Sequence, residues 1–169
     1  MPMKSKVSVK TLYSCSLERA FKTPMLCDVS KVHTGFGMMP KVTHCTNDES
    51  WGKPGGSRKI HIAKNISFKG GESSLDTVIE RIENKYWKIE VTDFKFGAMG
   101  FKKFVGEWAV MELEPNKVQV TYSYTMHSKY GILFPAHWLL TKTFWRTYMK
   151  RVLRIIHGLA QSNEPYKHL

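Results

Sequence analysis

The chain has 169 residues, the size of one domain with room for a continuous core, and its 42% hydrophobic and 24% charged content with 12 Gly and 7 Pro excludes collagen-like, coiled-coil and wholly disordered classes. Lys and Arg number 26 against 14 Asp and Glu, a formal charge of +12 that attracts nucleic acid or anionic surfaces without base or lipid specificity. Three cysteines, Cys15, Cys27 and Cys45, form no C-x-x-C pair and read as free thiols rather than a disulfide framework or zinc knuckle.

The first ten residues alternate polar with apolar and lack the apolar run of a secretory signal, so the cytoplasm is the expected location. A strand is predicted over 6–12, with Val7, Val9 and Thr11 on one face. Ser16 should cap a short helix over 17–22 that Pro24 closes, and Asp28 or Ser30 a second brief helix before Gly35 and Gly37. From Met39 the pattern changes to strand-like runs at about 41–46, 57–66, 73–83, 86–94, 104–114 and 117–128. The breaks Lys69-Gly70-Gly71, Asn84-Lys85 and Pro115-Asn116 suit hairpins, which makes the runs an antiparallel meander.

The last predicted element is a long amphipathic helix over 134–161. At ~100° per residue, Trp138, Trp145, Met149, Val152 and Ile156 fall near one line, and Lys142, Arg146, Lys150 and Arg154 wind onto the opposite flank. Pro135 is tolerated in the first turn, and Gly158, Asn163 and Pro165 are stop signals, leaving 161–169 as a loose tail of a single domain spanning 1–169.

Alternation sorts the side chains of the sheet. Val118, Val120, Tyr122, Tyr124 and Met126 share one face of the last strand, and Trp87, Ile89 and Val91 share one face of an earlier one, with Asp93 at the same parity. Between them, Phe104, Trp108 and Val110 are assigned inward in preference to Val105, Ala109 and Met111. One helix ~10 Å wide cannot cover about seven flat strands, so the sheet must curl around it, and a curled sheet lined by aromatics can leave an apolar pocket.

This α+β order, one strand, two short helices, a six-strand meander and a long C-terminal helix, resembles the helix-grip fold of the StAR-related lipid-transfer and birch-pollen-allergen superfamily, which includes polyketide cyclases and dehydrases. Trp51-Gly52-Lys53-Pro54-Gly55-Gly56-Ser57-Arg58-Lys59-Ile60 is similar to the glycine-rich turn and basic-apolar strand at that place in the family. Gly106-Glu107-Trp108-Ala109-Val110-Met111-Glu112-Leu113-Glu114-Pro115, followed by 118–124, is similar to its final hairpin. The resemblance covers nearly the whole chain and implies a pocket for a lipid, sterol, polyketide or similar apolar molecule.

The residues expected to line that pocket are Trp87, Ile89, Phe104, Trp108, Tyr122, Tyr124, Trp138, Trp145 and Met149. Binding or transport of an apolar ligand is the first reading. A cyclase or dehydratase using Tyr122, Tyr124 or Asp93 to position a carbonyl and move a proton is the second. Phe96, Gly97, Met99, Gly100 and Phe101 form a loop suited to a lid or a membrane-touching tip, equally weighted against a loop tucked on the core. Lys142, Arg146, Lys150 and Arg154 could meet anionic headgroups. Nucleic-acid binding has only the charge in its favour, no P-loop pattern or metal-ligand spacing occurs, and no cofactor is called for.

Overall fold

In the computed structural model, which describes residues 3–95 and 97–168, the alternating stretches become seven strands: β1 (Lys4–Tyr13), β2 (Val42–Asn47), β3 (Ser57–Ile62), β4 (Gly71–Ile82), β5 (Tyr86–Thr92), β6 (Phe101–Glu114) and β7 (Lys117–Ser128). They form one curved antiparallel sheet in the order β1-β7-β6-β5-β4-β3-β2, a meander from β2 to β7 with β1 added beside β7. Register shifts at Val42/His44, Ile60/His61, Val78/Glu80 and Phe101/Lys103 insert the extra residues that bend and twist strands. Asn84 and Asn116 adopt positive φ at the two tight hairpins, the conformation their turns require.

Two helices, α1 (Leu17–Leu26) and α2 (Val29–Val32), connect the opposite sheet edges β1 and β2. Ser16 caps α1 by accepting from the Arg19 N–H, and Asp28 caps α2 by accepting from the Ser30 N–H. Pro24 lies inside α1 instead of ending it, because the carbonyl of Ala20, which loses its helical N–H donor to the proline, accepts from the Trp108 indole at 3.1 Å. β3 stops at Ile62 rather than 66, where the Asn65 side-chain oxygen gathers the N–H groups of Ser67 and Phe68 into a turn. β6 starts three residues earlier than expected, so Phe101 belongs to a strand and not to the loop.

The glycine-rich stretch is structural. Gly55 donates to the Val78 carbonyl and Gly56 to that of Lys53, so these amides are engaged, and a Cβ at Gly56 would lie 2.1 Å from the Ser50 carbonyl oxygen.

The C-terminal helix is continuous in three parts: α3 (Phe134–Leu140), a π-helical stretch (Thr141–Trp145) and α4 (Arg146–Gln161). Met149, Val152, Leu153, Ile156 and Ala160 of α4 share one core with Val7 and Val9 of β1, Trp87, Trp108, Val118, Val120 and the α1 residues Ala20 and Phe21. The tail is not loose. Arg19 donates to the carbonyls of Leu159, Ala160 and Glu164, and the N–H groups of Lys167 and His168 both reach the Leu26 carbonyl, so the segment from Ser162 to His168 is tied to α1. No helix is long and apolar enough to cross a membrane among the described residues.

Candidate functional site

β3 and β4 create the polar end of the site. Alternation along β3 turns Arg58, Ile60 and Ile62 inward, and along β4 it turns Ser74, Asp76 and Val78 inward. Register sets Arg58 opposite Asp76, and the guanidinium Nε donates to the Asp76 carboxylate at 3.2 Å with both side chains more than nine-tenths buried. Trp51 holds the guanidinium from one side, its ring centre 4.0 Å away. Burial raises the Asp76 carboxyl above its usual range, against the pull of Arg58. Arg58 Nη1 is buried and has no hydrogen-bond partner among the described residues.

This pair lies in the wall of a cavity of about 200 Å³ between β3–β5, the segment after α2 and the first half of the C-terminal helix. Its apolar wall includes Met39, Ile60, Phe68, Phe94, Phe104 and Phe144, with Tyr124, Trp145 and Tyr148 beside them. His33, at the end of α2, hydrogen-bonds through Nδ1 to the Tyr148 hydroxyl. The Tyr124 phenol is pushed up to about 12 by burial and by the nearby Asp76 carboxylate, and burial raises Tyr148 as well. The polar groups of the cavity are therefore one ion pair and a set of neutral hydroxyl and imidazole groups.

Burial, helped by the charge of Arg58, lowers His33 to about 4. A base whose folded pKa lies below its unfolded value stabilises the fold above the unfolded pKa of about 6.5, and the contribution disappears as pH falls toward 4. At ~1.4 kcal/mol per pKa unit, His33 should account for at most about 3 kcal/mol of acid destabilisation. Urea denaturation at pH 7 and pH 4 should show a smaller loss in His33→Gln than in the unaltered protein; parallel losses in both would contradict this assignment.

Of the residues expected to line a pocket, Phe104, Tyr124 and Trp145 do so. Trp87, Ile89, Trp108 and Met149 are buried in the core instead, and the indoles of Trp87 and Trp108 donate to the Phe21 and Ala20 carbonyls of α1. Tyr122 packs between Trp108 and Tyr124, one step from the cavity. Trp138 is exposed. The π-helical turn takes up about one extra residue, so the inward line runs through His137, Thr141 and Trp145 at four-residue spacing, and Trp138 is rotated out. Asp93 is also exposed: β5 ends at Thr92, and positive φ at Asp93 breaks the strand parity and leaves its carboxylate with Lys95 at 2.7 Å.

In the expected lid, Phe96 falls outside the described residues. Gly97–Gly100 forms a 3-10 turn, with Met99 and Phe101 in the cavity wall. The turn is pinned: His137 Nε2 donates to the Met99 carbonyl at 2.9 Å, and the Lys129 N–H donates to the Gly100 carbonyl at 2.8 Å. Since a carbonyl only accepts, this tautomer leaves His137 Nδ1 to accept from the Ser128 hydroxyl at 2.7 Å. Arg58 and Asp76 were missed, although an inward-parity Arg and an inward-parity Asp on neighbouring strands are a readable signal.

No protein-family model matches the chain, and no curated protein matches it by sequence. Solved structures do match. Ara h 8.0201 aligns with a TM-score of 0.69 and 13% identity over 94% of this chain and 99% of its own. A norcoclaurine synthase point mutant of Thalictrum flavum, solved with a transition-state analogue, aligns with a TM-score of 0.70 and 8% identity over 98% of this chain and 99% of its own. The di-domain ARO/CYC StfQ of the steffimycin biosynthetic pathway aligns with a TM-score of 0.71 and 8% identity over 95% of this chain, which spans 51% of that one. The likeness bears out the helix-grip fold.

Proposed function

We propose that this helix-grip chain binds a small, largely apolar molecule carrying one carbonyl or hydroxyl oxygen. The observation that carries the reading is the cavity of about 200 Å³ with apolar walls and Arg58 in its lining, a residue whose buried Nη1 has no hydrogen-bond partner among the described residues. An apolar cavity of about 150 Å³ accepts benzene, so the volume suits a molecule of one or two rings or a short chain. Apolar burial supplies affinity at roughly 25 cal/mol per Å². Arg58 supplies selectivity, because its charge is already balanced by Asp76 and what it lacks is a neutral acceptor.

A second reading, a cyclase or dehydratase acting on such a ligand, is supported by the raised Asp76 carboxyl beside Arg58 and by Tyr124 in the same wall. The norcoclaurine synthase and ARO/CYC neighbours share the fold and motivate the same test. One experiment addresses both readings: mass spectrometry of the purified protein for bound molecules, then displacement of a fluorescent apolar probe by aryl ketones and by hydrocarbons of equal size, with the ketones analysed for conversion. Ketones should displace the probe at lower concentration than the hydrocarbons. No bound molecule and no displacement would sink the binding reading, and binding without conversion of any ketone would remove the enzymatic one.

A further inference from the structure

The rim of the cavity leads to an unusual part of the surface. Met99, Tyr130, Ile132, Trp138 and Leu139 are all exposed, Ile132 at 89% of its full area. They lie in or directly before three segments that touch one another: the Gly97–Gly100 turn, the Gly131–Leu133 3-10 turn, and α3. The Lys129 N–H to Gly100 and the His137 ring to Met99 are the bonds that join them, and a Cβ on Gly100 would meet Leu133 and Tyr130. Lys102, Lys129 and Lys142 are exposed in or next to the same segments.

Exposed lysines flank this apolar group, and the acidic Asp93 and Glu72 ahead of the first turn are paired with Lys95. Residues 115–163 contain Lys117, Lys129, Lys142, Arg146, Lys150, Arg151 and Arg154 and no Asp or Glu. Among the described residues, Lys129, Arg146, Lys150 and Arg154 form no ion pair. A second copy of a chain with net charge +12 would be repelled from such a face. A surface that accepts Trp, Tyr and Ile side chains at shallow depth while attracting lysines is the interface of an anionic bilayer.

We propose that the two 3-10 turns and α3 dock this protein onto anionic membranes, with Ile132 and Trp138 entering the interface and Lys129 and Lys142 meeting the headgroups. Because Met99 belongs to both the docking face and the cavity wall, docking sets the cavity rim against the lipid. This goes beyond ligand binding and stands or falls separately from it, since neither Ile132 nor Trp138 lines the cavity.

The test is co-sedimentation with phosphatidylcholine vesicles and with mixed phosphatidylcholine–phosphatidylserine vesicles, at low and high salt. Binding is expected only to the mixed vesicles and should weaken with salt. Lys129→Glu with Lys142→Glu should weaken it by roughly fivefold or more per site, and Ile132→Ser with Trp138→Ser by at least about tenfold. Thermal unfolding monitors the fold of each variant, and the lipid and salt dependence of the unaltered protein decides the matter even if a variant fails to fold. Absence of binding to the mixed vesicles, or equal binding to both kinds, overturns the proposal. So does a concentration-dependent dimer that Ile132→Ser with Trp138→Ser dissolves while no vesicle binding is seen.

Discussion

Arg58→Met is expected to destabilise the protein by about 3–5 kcal/mol, the usual cost of leaving one partner of a buried ion pair alone. The guanidinium and the Asp76 carboxylate are each more than nine-tenths buried, so little solvent reaches the carboxylate left behind. Asp76 would then keep its proton to higher pH, since among the described residues Arg58 is the only group that lowers it. The double variant Arg58→Met with Asp76→Leu should recover most of the loss, because an apolar pair of similar volume needs no desolvation of charge. In the double variant the cavity remains but its polar end is gone, so a preference for ketones over hydrocarbons should disappear while apolar binding persists. Urea denaturation of the three proteins measures the first part and probe displacement the second. A loss below about 1 kcal/mol in Arg58→Met would mean that the pair behaves as a solvated one and is not the buried anchor described above.

The sheet was readable because its faces alternate with period two and Asn84 and Asn116 mark the hairpins, although register shifts at Val78/Glu80 and Glu112/Glu114 reset the parity next to both turns. The same rule places Arg58 and Asp76 at inward positions on neighbouring strands, a charged pair among apolar neighbours. At two places the backbone departs from the ideal geometry that periodicity assumes. The π-helical turn shifted Trp138 out of the helix line, and the positive φ at Asp93 ended the strand before its inward parity could matter. Three lining residues, Phe104, Tyr124 and Trp145, were legible from parity and helix spacing, but the opposite wall of the cavity was not. It depends on how Met38, Met39 and Pro40, far from the C-terminal helix in sequence, approach Leu140, Phe144 and Tyr148, and no local pattern encodes that separation.

Trp108 shows why large inward aromatics were a poor guide to the pocket. Trp108→Ala should cost about 3–5 kcal/mol for the cavity it opens, but the more telling change is Trp108→Phe, which keeps most of the volume and removes the indole N–H. That N–H serves the Ala20 carbonyl, and in a regular helix the carbonyl would accept from residue 24. Residue 24 is proline and has no N–H to offer. Trp108→Phe should therefore leave a buried carbonyl unsatisfied, at about 1–3 kcal/mol, without weakening displacement of the apolar probe. In a Pro24→Ala background the alanine N–H can close the helical bond, and the cost of Trp108→Phe should fall by about 1 kcal/mol. A double-mutant cycle in urea reads this coupling directly. A cycle that closes with no interaction energy would show that the indole acts through packing alone, and that α1 tolerates its proline for some other reason than the bond from β6.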